Sequence, residues 1–392
     1  MKVAIILPQN YSGGAERVVS NLSFELSKYC ELHVIVFNYR TEDAYDLDGN
    51  IIDLHLTVCK TLFGKAMNFI KRIHKLNKIK RDMKFDCCIS FLASANIANL
   101  LTKSTEKRII SIRNNIFIHN KSVVERVQLK ACKVLYPKAD AIVVVSKLLK
   151  EKLISEMGID ARKIKTVYNP YNIANIKTLS LESIPKKEET LMASKIMLSC
   201  GRLTYQKNFE GLIKSFSELV KKIDYKLIII GEGELREKLE ELIIQLDLTN
   251  KVFLLGYRKN PYKYMAKSNV YVLNSFFEGF PNALVEAMVC GLPVVARDCE
   301  TGPKEILAPL MDKRKKIDGL EVSEYGILIP DAHSIETGRR DYLYEAIEIL
   351  ENDQVLRGNY IEKSLAYCSR WDTLIIGKKY FDVINNVYTD KM

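Results

Sequence analysis

The chain has 392 residues, 47% of them hydrophobic and 27% charged, and carries a formal net charge of +11. That balance suits a soluble globular protein with ample core, and the length suits two domains. No apolar run approaches the ~20 residues of a membrane-spanning helix, and the short apolar stretch before Pro8 is not the apolar region of a signal peptide, so a cytoplasmic protein is expected.

Lys2–Pro8 is a run of β-branched and aliphatic residues and reads as a buried parallel strand. Asn10-Tyr11-Ser12-Gly13-Gly14-Ala15-Glu16 follows and opens a helical pattern through Val18, Val19, Leu22 and Leu26. Further strands are expected at Leu32–Phe37, Phe85–Phe91, Arg108–Ile112 and Ala141–Ser146, with helices at Val124–Leu135 and Lys147–Glu156. Alternating β and α implies a parallel sheet with right-handed crossovers. Residues 172–192 are polar and read as a linker. A second series of strands follows at Lys195–Cys200, Lys226–Ile230, Val252–Leu255, Val270–Leu273, Val294–Ala296 and Gly326–Ile329. Helices at Phe209–Lys222, Leu235–Gln245 and Ala283–Val289 fit between them. Residues 309–325 look like a charged insertion, and the tail from Ile335 is helical in pattern. The expected fold class is α/β, two Rossmann-like doubly wound domains facing each other across a cleft.

Three stretches carry chemistry. Gly13-Gly14 sits where a strand passes into a helix, a place where backbone amides favour an anion, although a plain tight turn reads equally well. Arg202 and Lys207 lie on the loop after the first strand of the second series, suited to a pyrophosphate. Phe276–Pro293 is mostly apolar but carries Glu278 and Glu286. Asn282 is placed to cap a helix from Ala283, which brings Glu286 into its early turns, while Glu278 stays in the loop. Ionised carboxylates only accept hydrogen bonds, so the pair suits ligand hydroxyls. The nine cysteines form no C-x-x-C pairs and the five histidines are dispersed, so no metal site is expected.

With these motifs in this order, the chain resembles the retaining glycosyltransferases of family 4, which have the GT-B fold. Gly13-Gly14-Ala15-Glu16-Arg17, Gly201-Arg202 with Gln206-Lys207-Asn208, Ile230-Gly231-Glu232-Gly233, the E-x7-E pair Glu278 and Glu286, Gly291–Ala296, Gly302-Pro303-Lys304-Glu305-Ile306 and Trp371 carry the resemblance over nearly the whole chain. It implies an acceptor-binding domain over residues 1–171, completed by a helix at about 374–392, and a donor-binding domain over 190–373. It also implies a nucleotide-sugar co-substrate, most simply a UDP-sugar, and neither a metal nor another cofactor. Arg202, Lys207 and Glu278 would be the catalytic residues: the two cations would hold the diphosphate in place of a metal, and Glu278 would face the donor sugar. Because front-face attack is the usual description of retaining GT-B enzymes, Glu278 is not expected to be a nucleophile. Glu286 would take the ribose hydroxyls. Asn282, Ala283 and Leu284 would offer backbone amides, Tyr257 and Arg258 would border the base, and the Gly13-Gly14 loop would close over the diphosphate. Where many members have a histidine after the strand ending near Ile112, this chain has Arg113 and Asn114, with His119 a few residues on, as candidates on the acceptor side; Arg113 reads equally as a contact to sugar or phosphate and as a structural residue.

Charge is uneven. Residues 51–150 hold 20 Lys+Arg against 6 Asp+Glu, whereas residues 201–350 hold 21 against 23. Residues 60–84 contain nine Lys or Arg and one Asp, with Leu62, Ala66, Phe69, Ile73 and Leu76 repeating at helical spacing. Three readings stand: a stripe packed on the core with a solvated basic face, a helix on an anionic membrane, or a grip for an acceptor pyrophosphate through Lys71, Arg72, Lys75 and Lys78. The resemblance favours a polyprenyl-pyrophosphate-linked glycan acceptor in bacterial surface polysaccharide synthesis and a peripheral place on the inner face of the cytoplasmic membrane. A nucleotide-sugar 2-epimerase shares the fold but not the Arg202, Lys207 and E-x7-E pairing. No nucleic-acid signature is present, so no nucleic-acid partner is expected.

Overall fold

The computed structural model describes residues 1–11, 13–42, 44–56, 61–117, 123–330 and 342–389. It divides into two compact units, Met1–Tyr171 with Trp371–Met392, and Asn172–Arg370.

The first unit is built on seven parallel strands: β1 (Lys2–Gln9), β2 (Glu31–Asn38), β3 (Asn50–Asp53), β4 (Cys87–Phe91), β5 (Lys107–Ile112), β6 (Ala141–Val144) and β7 (Ile164–Thr166). Their order is β3-β2-β1-β4-β5-β6-β7. Val3 to Leu7 are completely buried, because a parallel strand covered by helices on both faces needs apolar side chains on both. The final helix, Thr373–Thr389, returns to this unit, where Phe381 stacks on Tyr29 at 5.1 Å between centroids.

The second unit repeats the plan with β8 (Ile196–Cys200), β9 (Lys226–Ile230), β10 (Val252–Gly256), β11 (Val270–Leu273), β12 (Val294–Arg297), β13 (Glu321–Val322) and β14 (Ile327–Ile329). The order is β10-β9-β8-β11-β12-β14-β13, parallel except for the antiparallel pair β13–β14. Phe209, Phe216, Leu227, Ile229, Val272 and Ile347 belong to its core.

In each sheet the chain winds outward from its first strand, then restarts on the other side of it. The switch points fall between β1 and β4 and between β8 and β11. At such a point two loops diverge above neighbouring strand ends and leave room for a ligand.

The structure corrects the linker reading. Residues 172–192 hold two helices, Ile173–Ser180 and Lys186–Met192, and belong to the second unit. Pro185 precedes the second helix, and Glu188 inside it is buried, accepting from Arg258 Nη2 at 2.8 Å and Tyr264 Oη at 2.6 Å. Burial works to raise the Glu188 carboxyl, but these two hydrogen bonds and the Arg258 charge outweigh it and hold it below the usual carboxylate value. The segment is a packed part of the domain.

Candidate active site

The switch point of the second sheet assembles the charged residues singled out in the sequence. The loop after β8 runs Gly201–Asn208 and ends in a short turn, Tyr205–Lys207. Asn208 then takes a left-handed conformation and caps the helix Phe209–Leu219, its side chain accepting from Gly211 N at 3.2 Å. The loop after β11 runs from Asn274 to Pro281. The two loops are tied together: Phe276 N donates to Gln206 O, and Gln206 Nε2 donates to Phe277 O, each at 2.9 Å. The Tyr205 and Phe276 rings lie 4.8 Å apart.

This bracing brings Lys207 Nζ to 2.6 Å from Glu278 Oε1. Both side chains are largely buried, Glu278 at 6% exposure. The Lys207 stem lies against Gly201, where a Cβ would stand 3.0 Å from Lys207 Cε. An ammonium has three N–H donors, and among the described residues Lys207 spends one, on Glu278. Glu278 Oε2 takes no hydrogen bond among the described residues. The pair therefore offers donors to an anion and an acceptor to hydroxyls from the same spot. Arg202, on the same loop, is exposed.

Glu286 lies in the helix Asn282–Val289 and is 2% exposed. Asn282 is the first residue of that helix and not its cap, since Pro281 takes the capping position with extended ψ of 107°. Proline fits there because its missing N–H has no helical partner to lose. Asn282 and Ala283 sit in the first turn of the helix, while Leu284 is wholly buried. Burial pushes the Tyr271 phenol far up, and the negative charge of Glu278 and Glu286 adds to it. Tyr271 stays neutral and donates to Cys200 O at 3.3 Å.

The family model for group 1 glycosyl transferases matches residues 181–314, and that for Glycosyltransferase Family 4 matches residues 12–175. A Campylobacter jejuni protein, N-acetylgalactosamine-N,N'-diacetylbacillosaminyl-diphospho-undecaprenol 4-alpha-N-acetylgalactosaminyltransferase, is 30% identical over 96% of this chain and 97% of its own. The chain belongs to the family 4 glycosyltransferases. An uncharacterised glycosyltransferase of Methanocaldococcus jannaschii is 38% identical over 66% of this chain and 67% of its own. Among solved structures, Anabaena HepE in complex with UDP and glucose superposes with a TM-score of 0.75 at 19% identity, covering 98% of this chain and 100% of HepE, and the shared fold is GT-B.

Other residues of this glycosyltransferase take places the sequence did not show. The Arg258 guanidinium is committed to Glu188 and to Tyr264 Oη at 3.2 Å, which leaves Tyr257, 40% exposed, as the outward residue of that pair. Arg113 is braced by its neighbours. It is buried, donates to Tyr380 Oη at 2.6 Å and to Asn169 Oδ1, and lies 5.8 Å from the Phe91 ring. Asn114 is exposed, and His119 lies outside the described residues.

At the first sheet's switch point, Gly13 caps the helix Gly14–Leu26 through its backbone, with no side-chain hydrogen bond. The Glu16 carboxylate folds back against it: a Cβ at Gly13 would meet Glu16 Oε2 at 1.9 Å. Glu16 is buried and accepts from Gln9 Nε2 at 3.2 Å. A carboxylate of the protein's own thus stands where an anion at this helix terminus would sit.

The basic helix runs Leu62–Met83, with Thr61 capping it through Gly64 N at 3.1 Å; Lys60 lies outside the described residues. Its C-terminal half packs: Leu76 is completely buried, and Ile73, Ile79 and Met83 rest on the core. Lys80 is buried there, 2.7 Å from Glu106 Oε1 and from Thr102 Oγ1. In the other half Ala66 of the expected stripe is exposed and Phe69 half-buried, and a second stripe, Phe63, Met67 and Ile70, is 78%, 39% and 60% exposed. Lys71 and Lys78 are exposed, Lys75 donates to Leu54 O at 2.6 Å, and Arg72 lies over the Phe37 ring at 4.4 Å, its pKa lowered by burial. No helix among the described residues is long and apolar enough to cross a membrane.

Proposed function

We propose that this glycosyltransferase moves a sugar from a UDP-sugar to an undecaprenyl-diphosphate-linked glycan, with retention of configuration and without a metal ion. The Lys207–Glu278 pair at the switch point of the second sheet carries the reading. Breaking a nucleotide-sugar bond leaves a diphosphate whose negative charge grows in the transition state. Fixed cations, Lys207 with Arg202 on the same loop, stabilise that charge more in the transition state than in the ground state. The sugar carbon becomes oxocarbenium-like, and Glu278 beside it supplies negative charge and accepts from sugar hydroxyls. Glu286 takes the ribose hydroxyls. The attacking hydroxyl approaches from the leaving group's face and gives its proton to the departing phosphate. UDP is favoured as the carrier by its presence with HepE, and a diphospho-undecaprenol acceptor by the name of the Campylobacter jejuni relative.

The acceptor's lipid places the reaction at a bilayer. The half of the basic helix that carries exposed Phe63, Met67 and Ile70 also carries exposed Lys65 and Lys71. Apolar residues entering the interface beside cations facing anionic headgroups suit the inner face of the cytoplasmic membrane.

One incubation tests the reading. Purified protein is mixed with radiolabelled UDP-N-acetylgalactosamine and the other common UDP-sugars in phosphatidylglycerol vesicles bearing an undecaprenyl-diphosphate-linked glycan, with and without EDTA. Lipid-linked α-glycoside should form at the same rate with EDTA. No transfer from any UDP-sugar, a β product, or a rate abolished by EDTA and restored by Mn²⁺ contradicts the corresponding part.

A further inference from the structure

Glu278 is held from two sides, and Gln206 and Lys207 provide only one of them. The other is the loop after β12, Asp298–Gly302. Thr301 is 3% exposed, and its hydroxyl donates to the main-chain carbonyl of Glu278. Gly302 follows in a left-handed conformation, φ 92°, that L side chains rarely adopt. A Cβ there would stand 2.7 Å from Pro281 Cδ and 3.0 Å from Gly279 O, so this loop packs directly on Gly279–Pro281. The supporting loop is itself anchored. Asp298 and Lys304, both buried, pair at 2.8 Å, Asp298 Oδ2 also accepts from Ile317 N at 3.3 Å, and Lys304 Nζ donates to Lys315 O.

We propose that Thr301, seated by Gly302, is a positioning residue for the Glu278 carboxylate. It sets the carboxylate's place relative to Lys207 and the donor sugar without touching either. The physical reason is leverage. A hydrogen bond to the carbonyl of Glu278 fixes the peptide from which its side chain springs. Sub-ångström errors there pass to a carboxylate whose value to catalysis depends on geometry. The charged insertion at 309–325 thereby gains a role, because its Lys315 and Ile317 backbone groups pin the Asp298–Lys304 pair under the Thr301 loop.

The proposal rests on the reading of Glu278 as the residue facing the donor sugar, so Glu278→Gln serves as its control. Thr301→Val keeps the shape and removes the hydroxyl, Thr301→Ser keeps the hydroxyl, and Thr301→Ala is the fallback if the valine variant does not fold. Transfer kcat, UDP affinity and melting temperature are measured for each with UDP and a working UDP-sugar. Thr301→Val should lower kcat about tenfold with UDP affinity unchanged and a modest fall in melting temperature from the unpaired carbonyl, Thr301→Ser should restore kcat, and Glu278→Gln should lower it at least as far. A wild-type kcat for Thr301→Val beside an impaired Glu278→Gln overturns the positioning role. So does a loss of UDP affinity in step with kcat, which would mark Thr301 as plain packing. An unimpaired Glu278→Gln instead overturns the reading of the site beneath it.

Discussion

The loops after β1 and β8 occupy equivalent places, each following the first strand of its sheet and leading to a helix beside the switch point. They solve the same electrostatic problem in opposite ways. In the first unit the protein's own Glu16 carboxylate folds against Gly13 at the start of the helix. In the second, Asn208 caps the helix with a neutral side chain, and the loop's charge is positive, with Arg202 exposed and Lys207 paired to Glu278. Topology alone thus does not set the charge at the start of the helix. What distinguishes the second loop is its positive charge, and a neighbouring strand whose loop brings a carboxylate to 2.6 Å from Lys207.

Three substitutions sharpen or break this contrast. The largest effect is expected from Lys207→Met, which removes a fixed charge from the leaving diphosphate: transfer kcat should fall about 10²–10³-fold, read in steady-state assays at saturating donor. Glu286→Ala comes next. Losing hydrogen bonds to a charged acceptor costs about 1.5–3 kcal/mol, so the UDP dissociation constant should rise about 10- to 100-fold in calorimetric titration. Glu16→Gln should have the smallest effect. A carboxylate at a helix N-terminus contributes about 0.3–1 kcal/mol, so chemical denaturation should show a small loss of stability with UDP affinity unchanged. A rise in UDP affinity on removing Glu16 would mean the first loop is an anion site that its own carboxylate restrains, and the contrast between the loops would fail.

The parts of the fold that were legible are those where chemistry is local. Buried parallel strands such as β1, β8 and β9 are continuous apolar runs, and helix crossovers show their period between them. Short edge strands were not legible: β3, β7 and β13 have two to four residues and are partly exposed, so neither length nor alternation marks them. Polar segments misled where the partner is remote. The run at 185–189 looks solvated, yet Glu188 is buried against an arginine 70 residues away. Arg113 reads equally well as a ligand contact or a structural residue, and its partner Tyr380 is 267 residues distant. In the site, the order of motifs exposed Lys207, Glu278 and Glu286, because each follows a strand end. Their geometry needed the adjacency of β8 and β11, which no spacing in the sequence encodes. Thr301 adjoins the Gly302–Ile306 motif, but its contact with the Glu278 carbonyl, 23 residues away, is not encoded in that spacing.

The central claim is that the second unit grips the donor by its diphosphate through Arg202 and Lys207. Calorimetric titration of UDP and of uridine into the wild-type protein and the Arg202→Ala/Lys207→Ala variant tests it most directly. Each charge-assisted hydrogen bond contributes about 1.5–3 kcal/mol, so the wild type should prefer UDP over uridine by about 100-fold or more, and the double variant should bind the two almost equally. A double variant that keeps the full preference for UDP would show that the diphosphate is held elsewhere.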